Sequence, residues 1–226
     1  LVERTVRLCH AKGKLVMLHG QRDYHPMLHG LADYWFPGEQ YEAMLARNLY
    51  PFTDEIPEVI FKSELNRDVI GTGLILITAI TSLNRAKLPE EVKRKATEAM
   101  LAMTLLYDID ISAVYAPVPL CAKVWDVLEK YRVQSTETEF HRFDKQNAVK
   151  SSHSGVRVSY YECPEDKYVV VLSNRDIRPV NTEINLSKIS NRVTVAHEEY
   201  IGTDIEIRDA KFKIRVPSRS FRIVVF

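Results

Sequence analysis

Residues 31–41 read Leu-Ala-Asp-Tyr-Trp-Phe-Pro-Gly-Glu-Gln-Tyr and join an apolar run at 14–19 to a helical pattern at 41–48. A strand, a Pro-Gly turn and a helix in this order form a β/α unit of the kind that builds parallel sheets. Carboxylates and aromatic rings share the turn, a combination that suits sugar binding because carboxylates can act at an anomeric carbon.

The same alternation of helix and strand extends over the first 135 residues. Helical patterns cover 2–11, 89–106 and 117–131, with Gly13 as a C-terminal cap and Pro89 at the first position of its helix. Buried strands are predicted at 14–19 and 109–115, and a loop at 21–30. The apolar run 73–80 fits either a buried strand or a buried helix, because periodicity does not separate them.

The pattern changes beyond residue 155, where the helical period ends. Short alternating or apolar runs follow, separated by Asn, Asp, Gly and Pro, which predicts an antiparallel β-sandwich. The strands are predicted at 156–161, 168–172, 182–186, 192–195, 204–207, 211–216 and 220–225. We therefore expect a β/α domain at 1–140, a polar linker at 141–154 and a sandwich at 155–226.

The β/α part is too short to close a barrel. A complete (β/α)8 barrel takes about 250 residues, and only about 140 precede the sandwich. We therefore expect an α/β plus all-β protein that holds the last β/α units of a TIM-type barrel, with an N-terminal half outside this chain supplying the rest.

Composition sets few limits on function. The formal net charge of +1 gives no reason to expect nucleic acid or an anionic membrane as a partner, and no run is long and apolar enough to span a membrane. Cys9, Cys121 and Cys163 are far apart and form neither a metal-binding pattern nor a disulfide framework, so we expect small buried side chains.

Four segments resemble those of known enzymes. GTDIEI at 202–207, KFKIRVPSRSFRIVV at 211–225 and VVVLSN at 169–174 resemble the terminal β-domain of barrel glycoside hydrolases, and Asp33 with PGEQY at 37–41 resembles a motif of bacterial polysaccharide-degrading hydrolases. The resemblance implies hydrolysis of glycosidic bonds in an oligosaccharide or polysaccharide, without a cofactor. It also implies a secreted protein, extracellular or periplasmic, whose sandwich carries no chemistry.

The candidate catalytic residues are Glu39 and Asp33. Glu39 follows the Pro-Gly turn, and Asp33 is interpreted as lying at the C-terminal end of a strand, where barrel enzymes place their sites. Helix-dipole and turn-capping roles are the structural alternatives for these two acids. If both are catalytic, a separation of about 5 Å predicts retention and about 6.5–9.5 Å inversion at the anomeric carbon.

Further residues are candidates for substrate binding. His19 ends a predicted strand and could bond a sugar hydroxyl, and one or two rings of the Tyr-Trp-Phe run could stack on sugar while the others join the core. The predicted substrate-binding set is His19, Tyr34, Trp35, Gln40, Tyr41 and Tyr115.

Three other functions remain open from sequence. His25, His29 and Asp33 are four residues apart and, with His19, could hold a divalent metal in a hydrolase or isomerase, although Pro26 and Gly30 disfavour the helix that this spacing requires. A non-catalytic carbohydrate-binding protein would use the same aromatics. A scaffold would leave every functional residue to the N-terminal half. We assign no metal ligand.

Overall fold

A computed structural model describes residues 2–19, 30–41, 44, 47–66, 73–77, 87–113, 116–190 and 192–226, with residues 40 and 74–77 described by their backbone alone. The chain forms two compact units. Unit 1 comprises residues 1–93 and 107–116, and unit 2 comprises 94–106 and 117–226. Helices and strands are numbered below in chain order among the described residues.

Unit 1 is built on a parallel sheet of four strands in the order β1-β2-β3-β4. The sheet follows from the repeated helix–strand pattern, since parallel neighbours need crossover connections. Its strands are β1 Met17–His19, β2 Tyr34–Phe36, β3 Gly73–Ile77 and β4 Asp110–Ser112; the helices are α1 Val2–His10, α2 Pro51–Asp54 and α3 Glu58–Ser63, with a 3-10 turn at Glu39–Tyr41.

The structure of unit 1 confirms the predicted cap at Gly13, decides between strand and helix at 73–77, and corrects one prediction. Helix α1 ends at His10, and Gly13 beyond it has the positive φ of 65° and the bond from its N–H to the His10 carbonyl that a C-terminal cap requires. The run at 73–80 is a strand from Gly73 to Ile77. The prediction of a buried strand at 14–19 is wrong, because Leu15 is 72% and Met17 51% exposed. Among the residues that the structure describes, β1 is an edge strand of the sheet and pairs with β2 alone.

Gly73 is required where β2 and β3 approach each other. It lies opposite Tyr34 in the register, and a Cβ atom there would meet the Tyr34 ring at 2.6 Å. The Tyr34 side chain thus occupies the space that a larger residue at 73 would fill. This packing places Tyr34 at the amino end of β2.

Unit 2 contains the predicted antiparallel sandwich. One sheet has six strands in the order β11-β10-β13-β8-β7-β5, and the other has three in the order β12-β9-β6. Alternating side chains of both sheets, among them Val158, Val170, Ile184 and Phe212, form one buried core. The strands are β5 Glu139–His141, β6 Lys150–Ser151, β7 Val156–Cys163, β8 Lys167–Asn174, β9 Val180–Asn185, β10 Val195–Glu198, β11 Thr203–Glu206, β12 Lys211–Val216 and β13 Ser220–Val225.

Helical residues in unit 2 are joined to the sandwich by buried polar contacts. Helix α4 runs Glu90–Thr104 and helix α5 runs Val118–Lys130. Glu98 of α4 accepts hydrogen bonds from Tyr200 at 3.1 Å and Ser220 at 3.3 Å. Burial, followed by the charge of Glu98, raises the pKa of Tyr200 above its ordinary range. The contacts of Glu98 hold α4 against Tyr200, in the turn that follows β10, and against Ser220, the first residue of β13.

The predicted linker contributes paired strands. His141 belongs to β5, which pairs with β7, and Lys150 and Ser151 form β6, which pairs with β9. The predicted domain limits at 1–140, 141–154 and 155–226 stay a prediction. None of the described helices is long and apolar enough to cross a membrane.

The cysteines behave largely as small buried side chains. All three are free thiols; Cys121 and Cys163 are buried, and Cys9 is partly exposed. Burial raises the pKa of Cys121 to about 11, so this thiol stays protonated and unreactive at neutral pH.

Candidate functional site

The carboxyl ends of β1 and β2 bring the side chains of His19, Phe36 and Glu39 together. His19 is the last residue of β1 and lies beside Phe36, the last residue of β2, in the parallel register. The chain then turns through Pro37 and Gly38, where Gly38 has a positive φ of 134°, and reaches Glu39. The turn returns the Glu39 carboxylate toward the end of β1.

The two polar side chains of this group are exposed and are not directly hydrogen-bonded to each other. Nε2 of His19 lies 3.7 Å from Oε2 of Glu39, and the two side chains are 44% and 53% exposed. This separation exceeds a direct hydrogen bond, but a water molecule or a hydroxyl group could bond to both. The Phe36 and His19 ring centroids are 5.6 Å apart at 51°, so Phe36 adds an apolar face.

Asp33 lies at the opposite edge of the sheet. It directly precedes β2, so the interpretation that it ends a strand is wrong. Its carboxylate accepts hydrogen bonds from His10 Nε2 at 2.8 Å and from the Val16 backbone N–H at 2.7 Å. The His10 bond, followed by the Val16 bond, lowers the pKa of Asp33 below its ordinary value. Asp33 is therefore a satisfied carboxylate at the amino edge.

The two acids do not form a catalytic pair in this unit. All three residues of β2 lie between Asp33 and the turn that carries Glu39, and a strand rises about 3.3 Å per residue. Among the described residues that directly follow the four parallel strands, Glu39 is the only acid. The spacing rule for retention and inversion therefore cannot be applied to Asp33 and Glu39.

The predicted aromatic ligands mostly belong to the core. Trp35 is 6% exposed and points to the face opposite Phe36. Tyr41 is also 6% exposed and packs edge-on against Phe52 with centroids 6.2 Å apart. Phe36 was among the three rings considered for stacking on sugar but was left out of the predicted substrate-binding set. Its signal was its position at the carboxyl end of β2, two residues after Tyr34 on the same face.

Several candidates fall outside the described residues. Tyr115, His25 and His29 lie outside them, as does the Gln40 side chain, so their roles stay predictions. Of the histidine cluster, the structure places His19 beside one carboxylate, Glu39.

The sandwich has cavities of its own. One of about 710 Å³ is bordered by Lys213, Arg215 and Arg222, and a neighbouring one of about 450 Å³ by Asn181, Thr182 and the first two of these basic residues. Both lie in unit 2. Lys213 and Arg215 of β12 are exposed and border both cavities.

Structural comparison identifies the type of fold. The chain matches an α-amylase from Geobacillus thermoleovorans complexed with acarbose at a TM-score of 0.62 and 8% identity, over 99% of this chain and 56% of the other. The fold is glycoside-hydrolase-like. It also matches an Anoxybacillus α-amylase (TM-score 0.57, 9% identity, 99% and 55% covered) and α-galactosidase I from Mortierella vinacea (0.54, 9%, 100% and 62%).

These likenesses concern the fold alone. The chain spans little more than half the length of the structures it matches, and the described residues form an open parallel sheet and a sandwich without a closed barrel. No known protein family profile matches the chain, and no curated protein matches it in sequence. The predicted mixed α/β and all-β architecture is thus supported at the level of fold class.

Proposed function

We propose that this chain is the C-terminal portion of a barrel glycoside hydrolase, with its site at the carboxyl edge of the parallel sheet. The observation that carries the proposal is the convergence of His19 and Glu39 at that edge, 3.7 Å apart and both accessible to solvent. In barrel enzymes the carboxyl edge is the catalytic face. The glycoside-hydrolase-like fold supports the assignment.

Glu39 has the chemistry that the reaction requires. Glycosidic hydrolysis breaks the bond between the anomeric carbon and the leaving oxygen and adds water, using one carboxylic acid to protonate the leaving oxygen and a second carboxylate as nucleophile or base. Glu39 supplies one of these groups. His19 orients it or bonds a sugar hydroxyl, and the Phe36 ring packs against a sugar face.

The second carboxylate must come from elsewhere in the complete site. The residues that follow β1 and β3 lie outside the described ranges, and the proposed N-terminal half would add further strand ends. The exposed apolar side chains of Leu15, which precedes the edge strand β1, and of Met17, its first residue, support such a half, because an uncovered apolar edge invites pairing. The substrate would be a glycan met outside the cytoplasm.

The test uses the full-length parent protein with a panel of oligosaccharides and polysaccharides, following the release of reducing ends. Glu39→Gln should abolish most turnover, and Asp33→Asn is the matched control at the amino edge. Sugar binding without turnover by the parent would favour a carbohydrate-binding protein instead. Turnover lost on chelation and restored by a divalent metal would favour the metal-dependent alternative.

A further inference from the structure

A second cluster of charged side chains lies on the sandwich, at the edge of the six-stranded sheet. Glu139 and His141 belong to the edge strand β5, and Glu162 belongs to its neighbour β7. The antiparallel register sets Glu139 opposite Glu162 and His141 opposite Tyr160. Because side chains alternate along a strand, Glu139, His141 and Glu162 share one face.

The spacing of the three groups matches the donor shell of a metal ion. His141 Nε2 lies 3.4 Å from Glu162 Oε1 and 3.8 Å from Glu139 Oε1, and one donor atom from each residue lies within 4.8 Å of the others. Donors bound about 2.1 Å from a tetrahedral metal stand about 3.4 Å apart. Small rotations of the two glutamates would complete that geometry.

The imidazole is oriented before any ligand arrives. Its ring stacks on Tyr160 with centroids 4.3 Å apart and planes 12° from parallel. The Nε2 atom is buried and has no hydrogen-bond partner within the described part of the chain. A buried polar atom without a partner is costly, so Nε2 faces the two carboxylates with its bonding capacity unused.

The charges of the cluster also call for a cation. Like charges directly opposite on neighbouring strands destabilise a sheet, and Glu139 and Glu162 form such a pair. No Lys or Arg among the described residues lies within ion-pair distance of either carboxylate.

We propose that Glu139, His141 and Glu162 bind one divalent transition-metal ion that holds the edge strand β5 to β7. One imidazole nitrogen with two carboxylate oxygens suits Zn²⁺, whereas Ca²⁺ and Mg²⁺ prefer shells made of oxygen alone. The fourth position is left to water. The site is structural, because it clamps two strands, and it is independent of the hydrolase proposal for unit 1.

The test is calorimetric titration of the full chain with ZnCl₂ after chelator treatment and removal of the chelator. We expect one zinc ion per chain and a rise in the thermal midpoint that MgCl₂ does not reproduce. His141→Ala and Glu162→Gln should each weaken zinc binding at least about tenfold, since even groups that only support a ligand matter by that factor. Glu162→Gln keeps the side-chain shape and serves if His141→Ala fails to fold.

His197→Ala is the matched control. His197 lies on strand β10 of the same sheet and bonds one carboxylate, Asp204, at 2.7 Å. The His197→Ala substitution should leave the zinc affinity unchanged. Absence of zinc binding by the parent would overturn the proposal. Equal zinc affinity in the parent and the Glu162→Gln protein would also overturn it, because the ion would then bind elsewhere, for example at His19 and its neighbours.

Discussion

The acids at the two edges of the parallel sheet have different hydrogen-bond partners and different exposure to solvent. At the amino edge Asp33 bonds His10 and the Val16 amide at 2.7–2.8 Å, and its own backbone carbonyl accepts a bond from the Gly73 N–H at 3.1 Å. At the carboxyl edge Glu39 faces His19 across 3.7 Å, and about half of each side chain is in contact with solvent. A carboxylate with its bonds already made holds strands together, whereas one without close partners is available to a ligand.

The largest expected effect is on turnover at the carboxyl edge. Glu39→Gln in the full-length protein should lower kcat about 10²–10⁴-fold, the usual range for a lost acid or base. The thermal midpoint should stay close to that of the parent, because Glu39 is exposed. Steady-state kinetics and thermal denaturation measure the two quantities; a normal kcat would remove Glu39 from the reaction.

A smaller effect is expected on stability at the amino edge. Asp33→Ala removes the acceptor used by His10 and by the Val16 N–H, and should lower the free energy of unfolding by about 1–3 kcal/mol. Turnover per folded molecule should be retained. Urea unfolding of the parent and the variant gives the difference, and an unchanged midpoint would mean that these bonds do not stabilise the sheet.

His19 tests whether the carboxyl edge acts as a unit. His19→Ala should lower kcat/KM about tenfold, because it removes one orienting or binding contact and leaves the Glu39 carboxylate in place. His10→Ala is the matched control at the amino edge and should leave kcat/KM unchanged. Equal losses in the two variants would end the distinction between the edges.

The smallest expected effect is on the pH dependence of stability at the amino edge, where Asp33 lies. The folded-state pKa of Asp33 is lowered, so its contribution is present above the ordinary carboxyl value of 3.8 and is lost as pH falls through the folded value. Between about pH 5 and pH 2 the parent should therefore lose more stability than Asp33→Asn. Equal losses of stability in the parent and in Asp33→Asn, measured by denaturant unfolding, would contradict this expectation.

Strands that lie between two other strands of a sheet were predicted well, because burial on both sides gives their sequence an apolar pattern. In β7 and β8 the runs at 156–161 and 168–172 lie inside the six-stranded sheet, so burial leaves a clear apolar signal. Strand β10 begins at Val195, where the predicted strand at 192–195 ends. Strands β5 and β6 were missed because three and two residues in a polar segment carry no periodicity.

The candidate site was predicted only in part. Glu39 and His19 were chosen for their places after an apolar run and a turn, and the structure brings them together. Asp33 was misplaced because a strand of three residues has no alternation that fixes its ends, so a boundary error moved the acid to the wrong edge. The Glu139, His141 and Glu162 cluster depends on strand register, which local sequence does not contain.

The measurement that tests the central claim most directly is a structure of the full-length protein with a bound oligosaccharide substrate or product. Our account predicts sugar at the carboxyl edge, beside Phe36, with a glycosidic or anomeric oxygen within hydrogen-bond distance of Glu39. Asp33 should keep its bonds to His10 and Val16. Sugar bound at Asp33, or a carboxyl edge filled by protein side chains with the sugar bound elsewhere, would contradict it.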